Sequence, residues 1–373
     1  MKKNVYLLSV VSLLNDISSE IILSILPLFI TYLGGGGFSI GLIGGFRDFI
    51  SNFVKAVSGV LSDKFHSKKP FVIAGYGISA FFKLFIGIAK TPFHVLIATS
   101  LERIGKGIRT APRDAIISLS ATSKGESFGL HRAFDTLGAL IGTLLALLMT
   151  AFFKVSYRKI IFLAAALSFL SIIPLLFVEE PKVKGKSNKT ALFSFNLINR
   201  KFKKFLLIAA IFSFSSANYM FFMFKAEEVI HSNVTPIVLY AVFNLIYALL
   251  STPAGILGDR IGKLTVLSIG YSFFASSLAT LSFSKGLISL TVSFVLYGIA
   301  MALIDGTQRA VVGDFSKEEY RASAYGIFQF LTGTCMLLGN VVLGLGWEVW
   351  GFWILLIYSF VSLASAVMLK TFL

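Results

Sequence analysis

Within the stretch RIGKGIRTAPRDA, Arg103 to Ala115, four cations (Arg103, Lys106, Arg109 and Arg113) follow one another at three- and four-residue intervals, and Asp114 adjoins the last of them. At 100° per residue on a helix they fall within about 120° of one another, with Glu102 on the same side, so they form a stripe. Further carboxylates stand in equally apolar surroundings: Asp16 and Glu20 in the segment NDISSE, and Asp48 in GGFRDF. A carboxylate in a partly dry cavity holds its proton more tightly when desolvated and less tightly beside an arginine. One whose cationic partner comes and goes can therefore take up a proton on one side of a membrane and release it on the other. The chemistry open to these residues is charge pairing and proton transfer.

The elements that must position them are membrane helices. Of the 373 residues 56% are hydrophobic and only 14% charged, with 38 phenylalanines, whereas a soluble domain carries about 25% charged residues. Apolar runs of the roughly 20 residues needed to cross a hydrocarbon core place twelve spans, at about 5–32, 40–62, 70–89, 92–115, 127–152, 157–178, 205–227, 235–258, 264–283, 286–311, 320–344 and 349–371. A cation at mid-bilayer costs roughly 2.5–3.5 kcal/mol on the insertion scale, so the stripe of the fourth span must face a bundle interior or a wet cavity. At 1.5 Å per residue Arg103 lies about 17 Å into that span, near the midplane, while Arg109 and Arg113 approach its far end. Asp16, Asp48 and Glu102 fall in the middle third of their spans, with Glu20 a turn further out on the first, and these are the expected counter-ions. Asp16 or Glu20 is the first choice for the titrating group, then Asp48. The alternative is permanent pairing with Arg47, Lys55 or Arg132, and Asp135 reads as a structural partner of Arg132.

Loop charges orient the spans. With the N-terminus in the cytoplasm, that side receives Lys2, Lys3, Lys64, Lys68, Lys69, Lys124, the run from Lys182 to Lys204, Arg260, Lys263, Lys317, Arg321 and Lys370. The other side receives Lys90, Lys154, Arg158, Lys159 and Lys285. This is the positive-inside asymmetry, and it accounts for the formal net charge of +16 without nucleic acid. Both termini are expected in the cytoplasm of a multi-pass cell-membrane protein. The apolar start is read as a retained helix, because no small-residue cleavage site precedes Asn15 and the apolar run continues to Tyr32. The single cysteine, Cys335, has no partner for a disulfide or a cysteine metal site. His66, His94, His131 and His231 have no metal-ligand spacing. GGGG at Gly34 to Gly37 and GKGIRT lack the strand and spacing of a phosphate loop. No cofactor is demanded and a soluble enzyme is not expected.

The chain divides at the polar run Glu179 to Thr190 and the basic NRKFKK that follows, giving an N-terminal bundle at 1–178, a basic linker at 179–204 and a C-terminal bundle at 205–373. The halves echo one another. GVLSDKF (Gly59 to Phe65) returns as GILGDRI (Gly255 to Ile261), and KGESFG, ending at Gly129, is answered by YRASAYG, ending at Gly326. Two echoes at nearly one offset indicate a parallel duplication.

Six spans, a basic loop, six spans, and G-x-L-x-D-[KR] after spans 2 and 8 resemble the major facilitator superfamily over the whole chain. NDISSE and GKGIRTAPRDA resemble a prokaryotic subgroup of its transporters. The resemblance implies an all-α fold of two pseudo-symmetric six-helix bundles that work by alternating access around a central cavity. It implies that Gly59, Asp63, Lys64 and Lys68, with the second copy Gly255, Asp259 and Arg260, form a cytoplasmic latch; His66 departs from the family glycine, whereas the second copy keeps Gly262. It also implies a role for Arg103, with Lys106 and Gly107, in proton coupling or solute binding, leaving Arg109, Arg113 and Asp114 to anchor or gate the cytoplasmic end. In the C-terminal half, Asn218, Tyr219, Tyr240, Asn244, Tyr247, Tyr297 and Gln329 are expected at mid-membrane as solute contacts. The expected function is secondary, proton-coupled transport of a small organic solute, anionic or zwitterionic, by a monomer; proton-antiport efflux of drugs or metabolites is the alternative, and a non-transporting membrane enzyme or receptor the outsider.

Overall fold

The computed structural model describes residues 2–64, 68–121, 123–180, 200–316 and 321–373. Among them are fourteen helices and no strand: α1 (Lys2–Tyr32), α2 (Gly37–Lys64), α3 (Lys69–Ile88), α4 (Pro92–Ser120), α5 (Lys124–Ala151), α6 (Tyr157–Leu170), α7 (Ile172–Leu176), α8 (Arg200–Phe214), α9 (Tyr219–Ile230), α10 (Thr235–Ile261), α11 (Lys263–Ser282), α12 (Leu287–Phe315), α13 (Arg321–Trp350) and α14 (Phe352–Phe372).

Local chemistry sets the ends. Thr91 caps α4 by accepting from the His94 N–H at 3.4 Å, and Pro92 fills the first turn, where no N–H is needed. At the start of α3, Glu180 accepts from the Lys68 and Lys69 N–H groups at 2.7 and 2.8 Å, placing a carboxylate where the helix dipole favours one. Two of the expected spans are broken. Ser171 separates α6 from α7, which holds Pro174 and its missing N–H. Between α8 and α9, the Ser215 hydroxyl donates to the Phe212 carbonyl at 2.9 Å, and the Asn218 side chain accepts from the Met220 N–H at 3.0 Å. Such side chains compete with the helical ladder and start a new helix instead of continuing the old.

Among the described residues ten stretches are long and apolar enough to cross a membrane: α1, α3, α5, α10 to α14, and the broken pairs α6–α7 and α8–α9. The expectation of twelve is met by composition at ten. Helices α2 and α4 have the length, 28 and 29 residues, but Arg47 and Asp48 in one and the charged stripe in the other lower their hydropathy.

The chain forms two compact units, Met1–Gly34 with Ile50–Lys189, and Gly35–Phe49 with Thr190–Leu373. The expected boundary lies in the linker; the packing adds the first half of α2 to the second unit. Of the linker, residues 181–199 fall outside the described ones and Arg200–Lys204 open α8. In the first unit α1 packs on α5, α3 on α4 and α6, and α1 on α6. In the second, α8 packs on α13, α11 on α12 and α14, and α8 on α14. These are the same pairings shifted by one half, as a duplication requires.

In the first unit Leu8, Val11, Val72, Tyr76, Ile116, Ile117, Leu175 and Val178 form a buried cluster, while Phe81, Phe85, Leu137 and Leu144 point outward. The α3–α4 seam is close because glycines face each other: a Cβ on Gly105 would lie 2.7 Å from the Gly75 carbonyl oxygen and the Ser79 nitrogen. Gly105→Val is therefore expected to destabilise by about 1–3 kcal/mol through overpacking, whereas Gly77→Ala, with open space around it, is expected to gain roughly 0.5–1 kcal/mol of helix propensity. Thermal unfolding of both variants in detergent checks the contrast; equal melting temperatures would refute it.

Candidate functional site

In the first unit the cations of α4 are distributed by depth of burial. Arg103 is 9% exposed and lies 3.1 Å through Nε from the Glu102 carboxylate, an ion pair too bent to count as a hydrogen bond. Ser79 of α3 donates to the other oxygen of Glu102 at 2.9 Å. Arg109 is fully buried, with its guanidinium carbon 4.1 Å from the centre of the Tyr76 ring, an arrangement in which the ring face replaces part of the lost hydration. Arg113 donates through Nε and Nη2 to Asp114 at 3.0 and 2.8 Å, and through Nη1 to Ser12 of α1 at 3.3 Å. Lys106 is half-buried; its carbonyl accepts from the Thr110 hydroxyl at 2.7 Å, while its ammonium makes no hydrogen bond or ion pair with another described residue, and the charges within electrostatic reach of it are Arg103, Asp16, Arg109 and Glu102.

Opposite these, α1 carries Asp16 and Glu20, both half-buried. Asp16 accepts from Asn15 Nδ2 at 3.5 Å and lies in reach of Lys106, Asp135, Arg109 and Arg113. On α5, Asp135 stands 3.8 Å from His131, while Arg132 is exposed. His131 and Arg132 both stand about one turn before Asp135, and spacing alone does not choose between them; burial of the His131 face makes the histidine the neighbour.

One buried cation escaped the sequence pattern. Lys83 of α3 is 1% exposed, and its Nζ donates to Ser18 and Ser19 of α1 at 2.9 and 3.0 Å, to Ser168 of α6 at 3.2 Å, and more distantly to Asn15 Oδ1 at 3.5 Å. The signal was present: Asn15, Ser18 and Ser19 repeat at helical spacing on the face of NDISSE that Asp16 and Glu20 do not use. A lone lysine within SAFFKLFIG has to find such a face.

Asp48 belongs to the second unit. It accepts from Asn218 Nδ2 at 2.6 Å in the second unit, beside Arg47, whose Nη1 donates to the Tyr219 hydroxyl at 3.5 Å. The reason is steric: Gly41 of α2 leaves no room for a Cβ against the Asn340 backbone of α13, so this half of α2 seats on α9 and α13. Asn340, fully buried and unforeseen, accepts from the Asn218 N–H at 2.9 Å and donates to the Ser216 carbonyl at 3.2 Å. It holds the break between α8 and α9 open.

The same unit gathers aromatic rings. Tyr219 and Tyr240 lie 4.9 Å apart, Phe243 and Tyr297 4.6 Å, and Phe222 and Tyr297 4.3 Å. Tyr247 donates to Asp305 at 3.0 Å, and Asp305 pairs with Arg309 at 2.7 Å. Asn244 and Gln329 are half-buried, Tyr240 and Tyr297 buried. Of the latch residues, the side chains of Asp63 and Lys64 lie outside the described ones, as does His66, and Gly59 belongs to the last turns of α2. Lys68 is buried, whereas Gly255, Asp259 and Arg260 are exposed at the end of α10. Nearby, Lys263 pairs with Asp314 at 2.7 Å. Among the described residues no group of three His, Cys, Asp or Glu is arranged to hold a metal ion.

Removing one partner of a buried ion pair strands the other, so Glu102→Gln is expected to lower stability by about 3–5 kcal/mol. The double variant Glu102→Gln/Arg103→Gln should recover most of that loss, and a thermal double-mutant cycle in detergent measures the coupling. Independent single losses would show that the two charges do not act as a pair.

The pattern of the Major Facilitator Superfamily matches residues 8–231 and again 226–373. An MFS-type transporter of Methanocaldococcus jannaschii, itself uncharacterized, is 44% identical over 356 residues, 94% of this chain and 89% of that protein. Crystal structures of the nucleoside transporter NupG and of the human organic anion transporter MFSD10 share the fold, with TM-scores of 0.81 and 0.69 at 19% and 14% identity. They cover 99% of this chain each, and 98% and 99% of their own chains. With both halves matched by one family pattern and a relative of this similarity along nearly its whole length, the chain belongs to the major facilitator superfamily of membrane transporters.

Proposed function

We propose that the protein is a proton-coupled secondary transporter of a small organic solute, anionic or zwitterionic, working by alternating access of two six-helix bundles through twelve membrane-crossing segments. The carrying observation is Lys106: a half-buried ammonium with no hydrogen bond or ion pair to another described residue, within reach of Asp16 and flanked by Arg103 and Arg109. An ammonium kept in the membrane interior at a cost of a few kcal/mol and left unpaired is available to an anionic group of the solute. Asp16 and Glu20 are the proton-exchanging carboxylates in this reading, and each proton entering down the membrane potential supplies about 2.3 kcal/mol per 100 mV. Arg109, Arg113 and Asp114 anchor α4, while Gly59, Asp63, Lys64 and Lys68 with Gly255, Asp259 and Arg260 act as the latch. The chain sits in the cell membrane as a monomer, both termini in the cytoplasm, and needs neither cofactor nor nucleic acid.

The clustered rings of Tyr219, Tyr240, Phe243 and Tyr297 favour a second reading, efflux of planar or lipophilic solutes by proton antiport, since aromatic faces hold such molecules and cations alike. Proteoliposomes under an imposed pH gradient separate the two with succinate, uridine, alanylalanine and tetraphenylphosphonium as probes. Under the favoured reading succinate or alanylalanine moves with the gradient, and Lys106→Gln weakens its half-saturation by about 10- to 150-fold, the loss of a charge-assisted bond of 1.5–3 kcal/mol. Transport of tetraphenylphosphonium alone, insensitive to Lys106→Gln, would replace that reading by efflux. No flux of any probe at any gradient would count against both.

A further inference from the structure

The cradle around Lys83 has an asymmetry in its hydroxyl protons. Ser18 Oγ donates to the Ala164 carbonyl at 2.5 Å and Ser168 Oγ donates to Asn15 Oδ1 at 3.2 Å. Both therefore turn only lone pairs toward Nζ and must receive an N–H from it. Ser19 Oγ lies 3.0 Å from Nζ and gives its hydrogen to no other described group. An ammonium fills this cradle by donating to all three hydroxyls. A neutral amine fills it equally well: its two N–H groups go to Ser18 and Ser168, and its lone pair accepts the Ser19 hydroxyl after that hydroxyl rotates.

The surrounding charges are those of a lysine not used as glue. A buried structural cation is ordinarily held by a carboxylate at bonding distance, and among the described residues Lys83 has none. The charges that face it are Glu102, Arg103 and Arg109 from α4 and Asp16 from α1. Glu102 is engaged with Arg103 and Ser79. Helix α6 carries its only charges, Arg158 and Lys159, in its first turn, and α7 carries none. Asp16 is joined to the cradle through Asn15, whose Oδ1 takes the Ser168 hydroxyl and whose Nδ2 donates to Asp16.

We propose that Lys83 is a proton-binding site of the first unit, seated in a cradle of Asn15, Ser18, Ser19 and Ser168 that satisfies its charged and neutral forms alike. This rests on the proton-coupled reading above and gives one of its protons a place. On unloading, one Nζ–H bond breaks with its electron pair left on nitrogen, the proton passes to water or to the Asp16 carboxylate, and the lone pair accepts the Ser19 O–H. The charge behind the Asp16 face of α1 falls by one without any packing contact being lost. The motif NDISSE thus has two faces, carboxylates on one and a lysine cradle on the other.

The full chain, purified in detergent, is melted across a pH series as wild type, Lys83→Met, Lys83→Arg and Ser19→Ala. A group that titrates in the folded protein makes the difference in melting temperature between wild type and Lys83→Met vary with pH. The proposal expects a pH-dependent step that vanishes in Lys83→Met and Lys83→Arg and is displaced in Ser19→Ala, which removes only the hydroxyl able to donate to the amine. In proteoliposomes with succinate or uridine as probe, Lys83→Met should lower gradient-driven accumulation about tenfold or more, the factor corresponding to 1.4 kcal/mol, while leaving equilibrium exchange of the same probe intact. A difference that is constant at every pH, or accumulation and exchange lost together, overturns the proposal in favour of a structural pin. Should Lys83→Met fail to fold, Ser19→Ala decides: an unmoved step overturns it, a displaced one supports it. Failure of the wild type itself to accumulate any probe would sink proton coupling, not the titration of Lys83, which the melting series reads without a solute.

Discussion

A charge cannot face hydrocarbon without a cost of a few kcal/mol, and neither can it be buried alone. That constraint governs the first unit of this protein from α1 to α6. Arg103 and Arg109 are turned inward, and each meets a different solution to the same problem: a carboxylate on its own helix for one, an aromatic face on α3 for the other. Lys83 meets a third, a set of neutral oxygens drawn from two helices. The glycine contact between α3 and α4 belongs to this scheme, because only closely packed backbones bring Ser79 and Tyr76 within reach of the α4 charges.

The second unit obeys the same constraint with fewer charges. Apart from Arg47 and Asp48 of α2, its deep polar groups are mainly amides and phenols, which bury at lower cost once hydrogen-bonded, and the chain has arranged them around a helix break. Asn340 and Asn218 satisfy backbone groups that the interruption between α8 and α9 releases. Broken helices in a membrane need such partners, since lipid offers none. The first half of α2 enters this unit through the Asp48–Asn218 bond, so a single helix contributes to both compact units.

Duplication connects the two halves physically as well as in sequence. The four helix pairings of the first unit return in the second, although few residues are shared between them. What the repeat preserves is the order in which helices bury one another, and what it leaves free is the polarity of the side chains at their centre. A charged interior in one copy and an aromatic one in the other are both compatible with that order.

Much of this was legible in the amino-acid order by itself. Apolar run length placed the helices, because any uncharged stretch of some twenty residues must be withdrawn from water; the helical spacing of Arg103, Lys106, Arg109 and Arg113 put them on one side of α4; and the echo of Gly59–Phe65 in Gly255–Ile261 announced two halves. Periodicity describes one helix at a time, however, and is silent on which helix lies opposite. The pairing of Asp48 with Asn218, the choice of His131 over Arg132 beside Asp135, the stacking of Arg109 on Tyr76 and the cradle of Lys83 were all decided by tertiary packing. Each depends on contacts between residues distant in the chain or on which face of a helix is buried, and those are set by the close approach of whole helices, a property of backbone shape that no local pattern carries.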